Sequence, residues 1–134
     1  MRGKETSRGI GRIVTALAIA GAIGTLARYS LIGFVQKIDG ISNTWGTLIV
    51  NLTGCFLAGL MWAIFENKWP VSGETRTLIL VGFIGAFTTF STLILEANEL
   101  LRSDGWVYAT SNIVMQNGLG FLALFIGVSL GRMP

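Results

Sequence analysis

Four long stretches of this chain are almost free of charge: residues 10–35, 45–65, 77–95 and 106–130. Each approaches or exceeds the roughly 20 apolar residues that cross the hydrocarbon core of a bilayer as a helix. Inside lipid every backbone polar group must be satisfied within the protein, which leaves helices as the structure open to such stretches. The polar connections, residues 36–44, 66–76 and 96–105, are too short for a soluble domain, and of the two prolines Pro70 sits in a connection and Pro134 ends the sequence. Composition agrees: 51% of the residues are hydrophobic and 13% charged, against about 25% charged in an average soluble domain. A small soluble globule could not cover its surface with so few polar groups. The sequence therefore predicts one all-α, four-span membrane domain over residues 1–134, with residues 1–9 as a flexible tail.

The same counts exclude several chemistries. There is no histidine, so the usual general base near neutral pH and the commonest metal ligand are missing. Cys55 is the only cysteine and can form neither an intrachain disulfide nor a thiolate cage. With no buried acid pair and no activated nucleophile legible, an enzyme is disfavoured. The net charge of +3 resides largely in Arg2, Lys4, Arg8 and Arg12. A basic run before an apolar span retains that end in the cytoplasm rather than binding nucleic acid. With both termini inside, Arg2, Lys4, Arg8, Arg12, Lys68, Arg76 and Arg132 face Lys37 and Arg102 across the membrane. Trp45, Trp62, Trp69 and Trp106 mark the interfaces, where rings with one polar edge settle.

Polar residues inside the spans point to function, because a bilayer excludes them unless they pair or line a path. Arg28 lies deep in the first span and continues a stripe of small residues, Ala16, Ala20 and Gly24, at helical spacing. It is either a snorkelling or structural arginine, or a buried positive charge that favours an anion. Thr47, Asn51, Cys55 and Gly59 share one face of the second span; Asn112, Gln116 and Gly120 share one face of the fourth, with Asn117 beside them. Either stripe alone reads as interhelical glue; two on separate helices point to a polar pathway. The third span carries Gly82, Gly85, Thr88, Thr89, Ser91 and Thr92 at its centre, a composition that lets a helix break and turn its carbonyls inward. The alternative is a continuous helix whose glycines permit close packing. Glu96 and Glu99 follow this span and are expected at its mouth, leaving no carboxylate mid-span. Arginine does not release its proton, so passive conduction is favoured over proton-driven transport. Neutral amides, hydroxyls and the positive edges of Phe83, Phe87 and Phe90 would then be the available anion donors.

Gly24-Thr25-Leu26-Ala27-Arg28-Tyr29, Gly46-Thr47-Leu48-Ile49-Val50-Asn51 and the run from Gly82 to Thr92 resemble the Fluc (CrcB) fluoride channel family, and the likeness covers nearly everything between Ile10 and Arg132. The resemblance implies an antiparallel homodimer of dual topology in the inner cell membrane, with two fluoride pores at the subunit interface. It implies that Asn51 donates to fluoride, that Phe90 offers a ring edge, and that Ser91 and Thr92 belong to a hydroxyl track. Thr47 and Gln116 join this pore set from the facing polar stripes, and Arg28 and Glu96 are the charges expected beside it. A structural Na+ at the dimer axis is implied, held by the backbone carbonyls of Gly85 and Thr88 from both subunits.

One departure is local: the family commonly has phenylalanine where this chain has Leu93, so the second aromatic station is missing. The basic-residue count, seven on one side against two, favours a single orientation, whereas dual topology wants near balance. Two other readings stand beside the channel. A small dual-topology multidrug exporter would use a glutamate in its first span, and this span has Arg28 instead. A structural subunit of a larger complex would use small-residue faces such as Gly127 and Gly131 for assembly.

Overall fold

A computed structural model describes residues 2–39 and 43–134, with side chains described for 9–38 and 44–134. The described residues are all-helical: α1 (Arg2–Asp39), α2 (Asn43–Asn67), α3 (Gly73–Thr77), a π-helical segment (Leu78–Ile84), α4 (Gly85–Phe87), α5 (Phe90–Ser103) and α6 (Trp106–Arg132). Four segments among them are long and apolar enough to cross a membrane: Gly9–Ile38, Thr44–Asn67, Gly73–Ser103 and Trp106–Arg132. The expected all-α, four-span fold is thus what the chain adopts. Helix α1 begins within the stretch expected as a tail, and the side chains of Arg2, Lys4 and Arg8 lie outside the described residues.

The third span is where sequence and structure differ most in extent. Its helix does not stop at residue 95 but runs to Ser103, so the third connection shrinks to Asp104 and Gly105. Gly105 has φ +96°, a left-handed conformation that glycine adopts without strain. Glu96 was expected to stand at the mouth of this span; it is instead buried, at 5% exposure, on the same face as Leu93 and Ala97. Its charge marked the span's end in the sequence, but a packed polar partner on α2 admits it to the interior.

Helices α2 and α6 form the central pair. They run parallel in a fixed register: Asn51 meets Gln116, Cys55 lies against Gly120, and Gly59 against Leu124, each pair 65 positions apart. Contact this close depends on glycine, since a Cβ at Gly127 would collide with the Phe56 carbonyl and press on the Leu60 amide. The small face containing Gly127 and Gly131 is thereby consumed within the chain and is closed to an outside subunit. Within the Ala16–Ala20–Gly24 stripe, Ala20 and Gly24 have the same fate, while Ala16 lines a groove beside α3. These two pack on the π-helical segment and α4, with Ala20 Cβ beside Gly82 and Gly24 beneath the Phe83 carbonyl.

The third span does break near its middle. Thr88 (φ −80°, ψ 160°) and Thr89 (φ −149°, ψ 113°) are extended, so α4 ends and α5 begins anew after two residues. The π-helical segment just before the break closes with the Gly85 amide donating to the Leu80 carbonyl, the wide turn often found beside functional sites. Thr89 then caps α5 by accepting a hydrogen bond from the Thr92 amide at 3.3 Å.

Candidate anion pathway

Two extended residues in the middle of a span would leave backbone groups unsatisfied, at several kcal/mol each in hydrocarbon on the order given by transfer of an unpaired polar group. Asn51 resolves this for Thr89. Its Oδ1 accepts from the Thr89 amide at 2.9 Å, and its Nδ2 donates to the Thr89 carbonyl at 3.1 Å. The carboxamide therefore pairs with Thr89 as a neighbouring strand would. The second Nδ2 proton goes to Gln116 Oε1 at 3.1 Å, and Gln116 Nε2 donates to Asn112 Oδ1 at 3.2 Å. A row of amides thus links the break in the third span to α6.

This row borders a cavity of about 290 Å³. Asn51, Thr88, Thr89, Phe90 and Gln116 line its polar side and mouth, while Cys55, Leu93, Gly120 and Phe121 close it, with Asn117 at the rim. Phe90 and Phe121 are 68% and 67% exposed, so the cavity opens sideways, between helices, rather than into a closed bore. Glycine at position 54 makes room here as well: a Cβ would strike Thr88 Cγ2. Ser91 and Thr92 converge with Thr89 in a hydroxyl cluster, their oxygens 3.3 and 2.9 Å from Thr89 Oγ1.

One helical turn along, the register of α2 and α6 sets Thr47 level with Asn112. Thr47, 1% exposed, donates its hydroxyl to Glu96 Oε1 at 2.5 Å. The other carboxylate oxygen of Glu96 and the Nδ2 of Asn112 are both buried without a hydrogen-bond partner among the described residues. A donor and an acceptor are left free in one layer, directly beyond the amide row.

Of the residues singled out in the sequence, Asn51, Phe90 and Gln116 gather at the cavity; Ser91 and Thr92 sit at its edge, and Thr47 and Glu96 form the adjacent layer. Arg28 does not line the cavity. It lies half-buried on α1, one turn past Gly24, and because α1 runs parallel to the third span it stands near the level of the break. The expected place of Glu96 at the mouth of its span is corrected: the helix continues past it and it is buried against Thr47. Phe83 and Phe87 stack on each other with centroids 6.1 Å apart, and Phe87 is core. Sequence reasoning named Thr89 only within the hydroxyl run, not for the backbone that partners Asn51, and passed over Phe121, which carried no signal beyond its apolar neighbourhood.

The residues expected to hold a cation can be tested for fit. In a continuous helix the amides of Thr89 and Thr92 would close on the carbonyls of Gly85 and Thr88. Here those amides are given to Asn51 Oδ1 and Thr89 Oγ1, so the two carbonyls are released from those bonds, and Gly85 is exposed at the break. Oxygen donors of this kind suit a hard cation.

The family described as CrcB-like protein, Camphor Resistance (CrcB), matches residues 15–128. Among similar proteins is the "Fluoride-specific ion channel FluC" of Desulforapulum autotrophicum, 58% identical over 117 residues that cover 87% of this chain and 94% of the relative. Proteins of the same description in Nitrosococcus oceani and Solidesulfovibrio magneticus are each 47% identical, over 116 and 117 residues, covering 87% of this chain and 93% and 94% of theirs.

Proposed function

The chain belongs to the CrcB-like family, and from that membership we propose that it is a passive, fluoride-selective ion channel of the cell membrane, a multi-pass protein and not an enzyme. The observation that carries the proposal is the amide row from Thr89 through Asn51 and Gln116 to Asn112, bordering a cavity that ends on the Phe90 ring. Fluoride is small and strongly hydrated, so a path for it must replace water with closely spaced neutral donors. The Asn51 proton now given to Gln116 Oε1 is the one fluoride takes over, since the Thr89 clasp holds the other. The free Nδ2 of Asn112 is the next donor along α6, and the Phe90 edge and the Ser91 and Thr92 hydroxyls serve the opposite side. Pore width and donor placement then exclude larger chloride.

The pathway is completed by a second copy. Asn117 is a polar residue exposed in the middle of α6, beside exposed Phe90 and Phe121. An amide facing lipid there is costly, and an inverted copy laid over this face covers it and closes the cavity into a pore, giving two pores per homodimer. Gly85 and Thr88 of both copies would meet at the axis and hold Na+ by their carbonyls. When bound, that ion supplies fixed positive charge which, with Arg28, offsets part of the cost of an anion in low dielectric.

A multidrug exporter is not supported: the first span, Gly9–Ile38, contains no acidic residue. The test of the cellular role is growth. Expression in a fluoride-hypersensitive bacterial strain should restore growth in millimolar fluoride, and failure by a membrane-inserted, folded protein would contradict an export role.

A further inference from the structure

The stretch of α1 from Gly9 to Ala16 lies beside α3 at one membrane face, and between them runs a groove of about 380 Å³ lined by Gly9, Arg12, Ile13, Ala16, Glu74 and Leu78. Its level in the bilayer is fixed by a nearby pair, the Arg76 guanidinium 4.9 Å above the Trp62 ring, because tryptophan near a span's end settles at the headgroup boundary. Arg76 is therefore engaged. Arg12 and Glu74 are exposed, and neither has an ion-pair or hydrogen-bond partner among the described residues. One groove thus offers a cation on one wall and an anion on the other, over an apolar floor that descends towards the hydrocarbon along Ile13, Ala16 and Leu78.

We propose that this groove is a binding site for the headgroup of a phospholipid that bears both a phosphate and a free ammonium, the chemistry of phosphatidylethanolamine. Arg12 pairs with the phosphate, Glu74 accepts from the ammonium, and an acyl chain follows the floor. An anionic headgroup without an amine would satisfy Arg12 but meet repulsion from Glu74. A trimethylated amine would bring the positive charge without a donor. The site is independent of the conduction pathway and of the fluoride assignment.

The test is native mass spectrometry of the full-length protein after reconstitution with equal amounts of phosphatidylethanolamine and phosphatidylglycerol. The wild type should retain the ethanolamine lipid about two- to five-fold more, the range of a partly exposed charge pair. Glu74→Gln should abolish the preference, Arg12→Gln should lower retention of both lipids, and Arg12→Lys should restore it, with melting temperature as the folding control. Equal retention of the two lipids by the wild type would overturn the proposal. So would a preference unchanged by Glu74→Gln, which would assign the retained lipid to another surface.

Discussion

Asn51 and Thr89 hold each other at two points, the amide of Thr89 on Asn51 Oδ1 and Asn51 Nδ2 on the Thr89 carbonyl. A side chain on α2 thereby stabilises a broken helix in another span, and the same carboxamide faces the cavity. The residue that braces the break is also the one proposed to meet fluoride, so substitutions must be chosen to separate the two roles.

Asn51→Asp replaces the donating nitrogen with an oxygen that confronts the Thr89 carbonyl and Gln116 Oε1. Two donors are lost and a negative charge enters the path. Fluoride flux should fall by on the order of 100-fold or more, the equivalent of about 3 kcal/mol. Proteoliposome efflux checks this, with size-exclusion chromatography establishing that the protein remains assembled; flux near the wild-type rate would remove Asn51 from the pathway.

Phe90→Ile keeps an apolar side chain but removes the ring edge, and flux should drop by about 10-fold, the upper end of an aromatic edge contact. Leu93 lines the same cavity, so Leu93→Phe has open volume to enter and supplies a second edge. Flux should rise by about two- to tenfold on the same scale. An unchanged rate in Phe90→Ile would place that ring in packing alone.

Gly127→Ala sets a methyl group against the Phe56 carbonyl and Leu60 amide of α2, backbone that cannot move aside. The expected cost is about 1–3 kcal/mol, as for an overpacked core, read as a lower melting temperature in detergent. Gly11→Ala, where nothing lies within 4 Å, should leave melting unchanged or raise it. Equal melting of the two variants would contradict the α2–α6 register described above.

Replacing Na+ with a large organic cation throughout purification should weaken the dimer or silence conduction if the released carbonyls of Gly85 and Thr88 hold the ion. Full flux and an intact dimer without Na+ would count against that site. A partial loss restored by adding Na+ back would support it.

The span count was legible because long uncharged stretches leave a chain few choices. The break was legible from Gly82, Gly85 and the hydroxyl run, since those residues both weaken a helix and supply substitutes for its lost bonds. What the sequence concealed depended on partners distant along the chain. Glu96 read as a carboxylate at the mouth of its span until Thr47, 49 positions away, was placed beside it. Gly127 and Gly131 looked like an assembly face because nothing local told that α2 runs parallel to α6 and occupies it. Thr89 was one hydroxyl among several; its backbone, not its side chain, makes it the partner of Asn51.

The central claim is selective passive conduction, and efflux from liposomes tests it most directly. Purified protein would be reconstituted in vesicles loaded with fluoride and chloride, valinomycin added to let potassium follow, and both anions read by selective electrodes with no pH gradient imposed. The account predicts rapid fluoride release with chloride retained. Equal release of both anions, or fluoride release only when a pH gradient is applied, would contradict it.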